Sequence, residues 1–178
     1  MNVVVKRVLG ILAMVSLLAT GCSGPAKPTA TPTTSSTDGP SASALMVCST
    51  EAQADIEEAI GVRVSSTPTS TFANHLFTCD YPYPGGTMVL TVKDLTDKAT
   101  TDAYYTQSLS TVSKPRQLPG LGEGAVSDDK GSVYVRKDFK VLRVDTTGLP
   151  VSFGQPPHTR DVIAVAVAAA ITLCWTGA

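Results

Sequence analysis

"HLFTCDYPYPGGTMVLTVK", His75 to Lys93, is the stretch that decides the fold. In its second half Met88, Leu90 and Val92 share one parity, while Thr87, Thr91 and Lys93 take the other. Alternation of this kind marks a half-buried strand. "HLFTCDY" (75–81) and "TMVLTVK" (87–93) flank the five residues "PYPGG", whose prolines and glycines favour a turn, so the segment predicts an antiparallel hairpin. Further on, "SVYVRK" (132–137) and "DFKVLRVD" (138–145) predict a second hairpin, and Ala125-Val126-Ser127 adds a short strand before it.

Helical signals surround the hairpins. Thr50-Glu51-Ala52-Gln53 fits a capping box, Ala52, Ile56, Ala59 and Ile60 recur on one helical face, and Gly61 provides the stop. From about Thr100, Tyr105, Leu109 and Val112 keep helical spacing until Pro115. Thr159 can cap a last helix with the body "DVIAVAVAAAITLCW", apolar nearly all round and so expected to be buried. About 14 residues are too few to span a bilayer. The order helix, hairpin, helix, hairpin, helix predicts a single α+β domain, with an antiparallel sheet of about 4–6 strands packed with about three helices.

The N-terminus has a different character. Lys6 and Arg7 precede an apolar run, Val8 to Ala19, and the small residues Ala19-Thr20-Gly21 lead to Cys22. This is the layout of an export signal. "LATGC" (18–22) resembles the lipobox of bacterial lipoproteins, with Ala19 where leucine is commoner. The resemblance implies diacylglycerol on the Cys22 thiol, cleavage after Gly21 and acylation of the new amino group. Two or more acyl chains hold a protein durably where one does not. Of the 21 residues 23–43, 19 are Ser, Thr, Pro, Ala or Gly, with no aromatic or branched aliphatic side chain to bury. They read as a tether with a reach between ~25 and ~65 Å. The expected organisation is a signal peptide at 1–21, a lipidated cysteine and tether at 22–43, and a globular domain at 44–178. The expected location is the outer face of the cytoplasmic membrane.

Lys6 and Arg7 are the only basic residues before Cys22, and all 15 acidic residues follow it, so the chain from Cys22 carries a net −3. With no basic run, nucleic acid is excluded as a partner. In an oxidising compartment disulfides persist. Cys48 precedes a helix start and Cys79 lies inside a strand, so a staple between them is natural, leaving Cys174 as a buried thiol. A bond from Cys174 to either of the others is the alternative.

"VCSTEAQADIEEAIG" (47–61), "FTCDYPY" (77–83) and "LPGLGEGA" (118–125) before a hairpin together resemble actinobacterial envelope lipoproteins of unknown function. The resemblance spans most of the domain. These lipoproteins pair a cysteine-led N-terminal helix with a Cys-x-Tyr or Cys-x-Trp strand, and the resemblance assigns no active-site residue. The element order also resembles the photosystem-associated α-β-α sandwich at the level of topology.

Candidate sites are few. "GLGEGA" (120–125) invites a phosphate-loop reading, but strand signals follow it where a helix is required, so a loop with positive φ is expected. Asp94, Asp97, Asp102, Asp128 and Asp129 lack calcium-loop spacing and fit helix starts and turns. His75 and His158 are the only histidines, and no nucleophile elbow or metal-ligand pair accompanies them. Tyr81 and Tyr83, in "DYPYPGG", are the candidate partner-binding residues if that loop is exposed. No metal or cofactor is expected. The leading expectation is a monomeric, non-catalytic binding domain with accessory or sensor character. It would be held to the membrane through Cys22 and engage an unknown protein or envelope component. A carrier of a lipid or small apolar ligand comes second, and an exported hydrolase third.

Overall fold

A computed structural model of the protein describes residues 39–175. The expected lipobox with Cys22 and most of the expected tether lie outside the described residues. The deciding hairpin forms, more tightly than expected. β2 (Leu76–Tyr83) and β3 (Gly86–Asp94) pair antiparallel from Leu76↔Lys93 to Tyr83↔Gly86. The loop is therefore two residues, Pro84-Gly85, with Gly85 at φ 86°. Proline followed by a glycine at positive φ is the chemistry of a tight turn.

The second hairpin, β6 (Ser132–Lys137) with β7 (Lys140–Asp145), docks on the first through β7 against β3. β1 (Thr69–Ala73) extends one edge, and β5 (Gly124–Ser127) with β4 (Arg116–Gln117) extends the other. The result is a seven-stranded antiparallel sheet, ordered β1-β2-β3-β7-β6-β5-β4. β8 (Ser152–Phe153) and β9 (His158–Thr159) form a separate two-stranded ladder. The α+β class and the antiparallel sheet are as the alternation predicts. β1 and β4 carry the sheet beyond the expected four to six, because β1 is exposed along most of its length and β4 has only two residues, so neither leaves a period-2 pattern to detect.

Four helices pack on this sheet. α2 (Thr50–Ile60) and α4 (Arg160–Cys174) lie together on one face. Ile56, Ile60, Ile163, Val167 and Ile171 meet Phe77, Leu90, Val135, Leu142 and Val144 there in one core. α3 (Lys98–Leu109) lies against β6 and β7 on the other face, and only Thr101 of its residues is buried. Asp97 caps it, its carboxylate accepting from the Thr100 N–H at 2.9 Å.

Several local expectations need correction. The cap of α2 is Ser49, one residue early: its hydroxyl accepts from the Ala52 N–H at 3.2 Å, and the Gln53 amide donates to the Cys48 and Ser49 carbonyls. Ala59 faces solvent. Gly61 does end the helix, at φ 69°. A short α1 (Ala42–Met46), capped by Ser41, draws Ser41–Ser43 into the folded domain, although their composition matches the tether. Burial decides this: Ala44 and Val47 are fully buried, and the Asp94 carboxylate accepts from the Ser41 N–H and hydroxyl at 3.0 and 2.7 Å. α4 is buried on one face only, since Val162 and Leu173 project outward. Thr159 occupies its cap position without a side-chain capping bond.

Candidate functional site

Strand direction gives the sheet two ends. At one end lie the β6–β7 turn, the end of β3 and the end of α4. At the other lie the β5–β6 turn, the end of β7 and the start of α4, and there a basin of about 820 Å³ opens. Lys114, Arg116, Asp129, Lys130, Val151 and Asp161 are among its walls.

The basin is built from the turn at Asp128. One carboxylate oxygen of Asp128 accepts from the N–H groups of Lys130, Gly131 and Ser132 at 2.9, 2.8 and 2.7 Å. This folds the chain back on itself as aspartate does in turns. Gly131, at φ 110°, is required, because a Cβ there would stand 2.5 Å from the Thr146 hydroxyl and 2.7 Å from Arg160 Cβ. That buried hydroxyl lies 2.8 Å from the Gly131 carbonyl and 3.0 Å from that of Arg160, and it can donate to either. Arg160 Nε donates to the Leu149 carbonyl at 2.7 Å, fastening the segment after β7 to α4.

Two ion pairs line the walls. Lys114 Nζ lies 2.8 Å from Asp129, and Arg116 Nη2 lies 2.6 Å from Asp161 in the first turn of α4. An acidic residue in that turn also complements the helix dipole. The hydrogen bond from Lys114, aided by that from Ser113, holds the Asp129 carboxyl below its usual range, and the same pair raises Lys114. Asp161 Oδ1 is buried with no hydrogen-bond partner among the described residues, so it can take a donor. Lys130 makes no ion pair among the described residues and lies on the rim with the exposed Val151. With charges of both signs and an apolar rim, the basin can recognise a surface that also carries both signs.

A smaller groove of about 270 Å³ runs between α3 and the second sheet face, lined by Tyr104, Ser108, Thr91, Tyr134 and Arg143. The Arg143 guanidinium lies 5.6 Å from the Tyr134 ring centroid and pairs with Asp145 at 2.5 Å.

The sequence candidates fare differently. Cys48 and Cys79 form the disulfide, with Cα atoms 5.6 Å apart. Cys174 stands outside that bond, half-buried, its Sγ 3.3 Å from Asp55 Oδ2. Tyr81 and Tyr83 are not exposed, and the partner-binding role expected for them is corrected. They are 0% and 5% exposed, because the two-residue turn keeps both on the same sheet face as Phe77 and Cys79. Phe153 packs edge-on against Tyr83 with centroids 5.3 Å apart. Burial pushes the phenol pKa of both tyrosines upward. His75, in the β1–β2 turn, and His158, in β9, fall at opposite ends of the sheet. The "GLGEGA" loop runs into β5, with Gly120 and Gly122 at positive φ. Asp94 accepts from Ser41, Asp97 caps α3, Asp128 turns the chain, and Asp102 pairs with Lys98 and Arg136. No metal-ligand cluster occurs among the described residues.

Of the charged basin residues, only Asp128 and Asp129 were singled out in the sequence, as turn residues, and the basin itself was not foreseen. The basin residues come from the segment that leads into β4, the β5–β6 turn, the segment after β7 and the start of α4, and no local spacing announces their meeting. No family model, curated protein or solved structure matches the chain.

Proposed function

We propose that the protein is a lipid-anchored, non-catalytic binding module of the cell envelope, which engages an extracytoplasmic protein through the charged basin. The observation that carries this reading is the basin itself. Lys114–Asp129 and Arg116–Asp161 are set around it, with the rim residues Lys130 and Val151 beside them. A protein surface of mixed charge matches it better than a uniformly anionic polymer, which would meet Asp128, Asp129 and Asp161. Two further features support the setting. The lipobox-like "LATGC" ends at Cys22, and the Cys48–Cys79 disulfide suits an oxidising compartment.

The test is a photo-crosslinking amino acid placed at Val151 in the membrane-anchored protein, in an actinobacterial host, with Thr71 on the edge strand as control. The expected result is a discrete protein adduct from position 151 that is absent from 71 and lost on Lys130→Glu. Identical adducts from both positions, or none from 151, would contradict the reading.

A further inference from the structure

We infer that the opposite end of the domain, where the chain enters the fold, docks on the lipid surface to which Cys22 is anchored. This inference rests on the lipid-anchored reading above. Four contacts define that end. Ser41 is bonded to Asp94 at the end of β3. The indole N–H of Trp175 donates to the Ser43 carbonyl at 3.2 Å, joining the end of α4 to α1. Lys137 Nζ donates to the Thr172 and Trp175 carbonyls, joining the β6–β7 hairpin to α4. The Leu95 N–H donates to the Phe139 carbonyl at 3.0 Å, joining the tip of that hairpin to β3.

Three large apolar side chains stand out into solvent on these elements: Leu45 and Phe139, each 51% exposed, and Leu173, 81% exposed. Phe139 is the most telling. With Asp138 it forms the two-residue β6–β7 turn, at φ 57° and 50°. Such a turn favours glycine or asparagine, and a bulky aromatic there is strained. Neither turn preference nor burial accounts for phenylalanine at this position. Strain of this kind, kept at an exposed site, points to a function.

The charges agree. Lys93, Lys137 and Lys140 donate to backbone carbonyls at this end and make no ion pair among the described residues. Asp94 accepts from Ser41, Asp97 caps α3 and Glu123 pairs with Arg136 at 3.8 Å, which leaves Asp138 in the turn as the opposing charge against three lysines. Ammonium groups beside exposed apolar side chains suit an anionic lipid surface, where lysines meet headgroups and apolar side chains enter the acyl boundary. Only residues 23–38 separate Cys22 from the described chain, which starts at this end. Such a link gives the surface a high effective concentration, so weak individual contacts suffice. With this end on the membrane, the charged basin faces outward.

The chain carries its own probe, since Trp175 is its single tryptophan and is buried at this end. The full lipidated protein is reconstituted into vesicles of phosphatidylglycerol and phosphatidylcholine containing lipid with a nitroxide near the head of the acyl chain. The expected result is at least about twofold quenching of Trp175, as apolar residues seated in the headgroup boundary bring it near the label. The Phe139→Asn/Leu173→Ser variant should still sediment with vesicles but lose that quenching. Asparagine suits the turn, and serine replaces an exposed side chain. Leu173→Ser alone provides a second variant and should relieve part of the quenching. Unquenched Trp175 in protein that sediments with vesicles, or quenching equal in wild type and double variant, would overturn docking and leave the anchor standing. A dimer lost in the double variant, with Trp175 unquenched, would assign the patch to a second copy and also overturn docking. Lipid-free protein that does not sediment would overturn both readings.

Discussion

The phenol of Tyr81 donates to the Val47 carbonyl at 2.7 Å, a buried bond between residues 34 apart in sequence. It joins the α1–α2 junction to β2, two residues from Cys79 and one from Cys48. The first helices are thus fastened to the sheet at neighbouring points by a covalent bond and a polar one.

Tyr81→Phe therefore tests the polar fastening. It removes the donor and leaves the Val47 carbonyl buried, which costs about 1–3 kcal/mol. The urea midpoint should fall with the slope unchanged. An unchanged midpoint would show that the carbonyl finds another donor.

The Cys48–Cys79 bond closes a loop with a sequence separation of 31. By the chain-entropy estimate, its loss in a Cys48→Ala/Cys79→Ala variant lowers stability by about 3–4 kcal/mol. Alkylation of the unreduced, denatured domain 44–178 should label one thiol, Cys174. Three labelled thiols, or a fragment bridged through Cys174, would contradict the pairing.

High pH should unfold the protein through its buried phenols. Tyr81, Tyr83, Tyr105 and Tyr134 all have raised pKa values, with burial the largest cause in each. Above about pH 10 the unfolded chain loses phenol protons that the folded chain keeps, so the unfolded state binds fewer protons and stability falls as pH rises. Below that pH the contribution is fully present. Tyrosinate absorbance should show a late phase coincident with loss of the circular dichroism signal, smaller in Tyr81→Phe. Full ionisation of all five tyrosines in folded protein would contradict the burial.

Much of the fold was legible because periodicity reports burial. Met88, Leu90 and Val92 alternate with polar residues, and all three are buried as that pattern requires. The exposure of Tyr81 and Tyr83 was misjudged because "DYPYPGG" looks like a loop by composition. Their parity with Phe77 and Cys79 carried the opposite signal, and register prevailed over composition. α1 was missed because Ser41–Ser43 continue the composition of the preceding segment, and it is held by burial of Ala44 and Val47 and by Asp94, 53 residues from Ser41. α4 read as buried all round, since a sequence without a partner does not say which apolar face stays open. The basin was invisible for a related reason: Lys114, Arg116, Asp129 and Asp161 meet only after sheet pairing brings β4, the β5–β6 turn and the start of α4 together. Phe139 was read as part of the strand "DFKVLRVD", and only the pairing Lys137↔Lys140 places it in the turn.

The anchor is the claim on which both functional readings depend, and the mass of the N-terminal peptide of membrane-extracted protein tests it most directly. The account predicts a mature chain beginning at Cys22, with a diacylglyceryl thioether and an acylated amino group. Cys22→Ala should release the protein from membranes. An unmodified Cys22 within a longer chain, or a Cys22→Ala variant that still sediments fully with membranes, would contradict it.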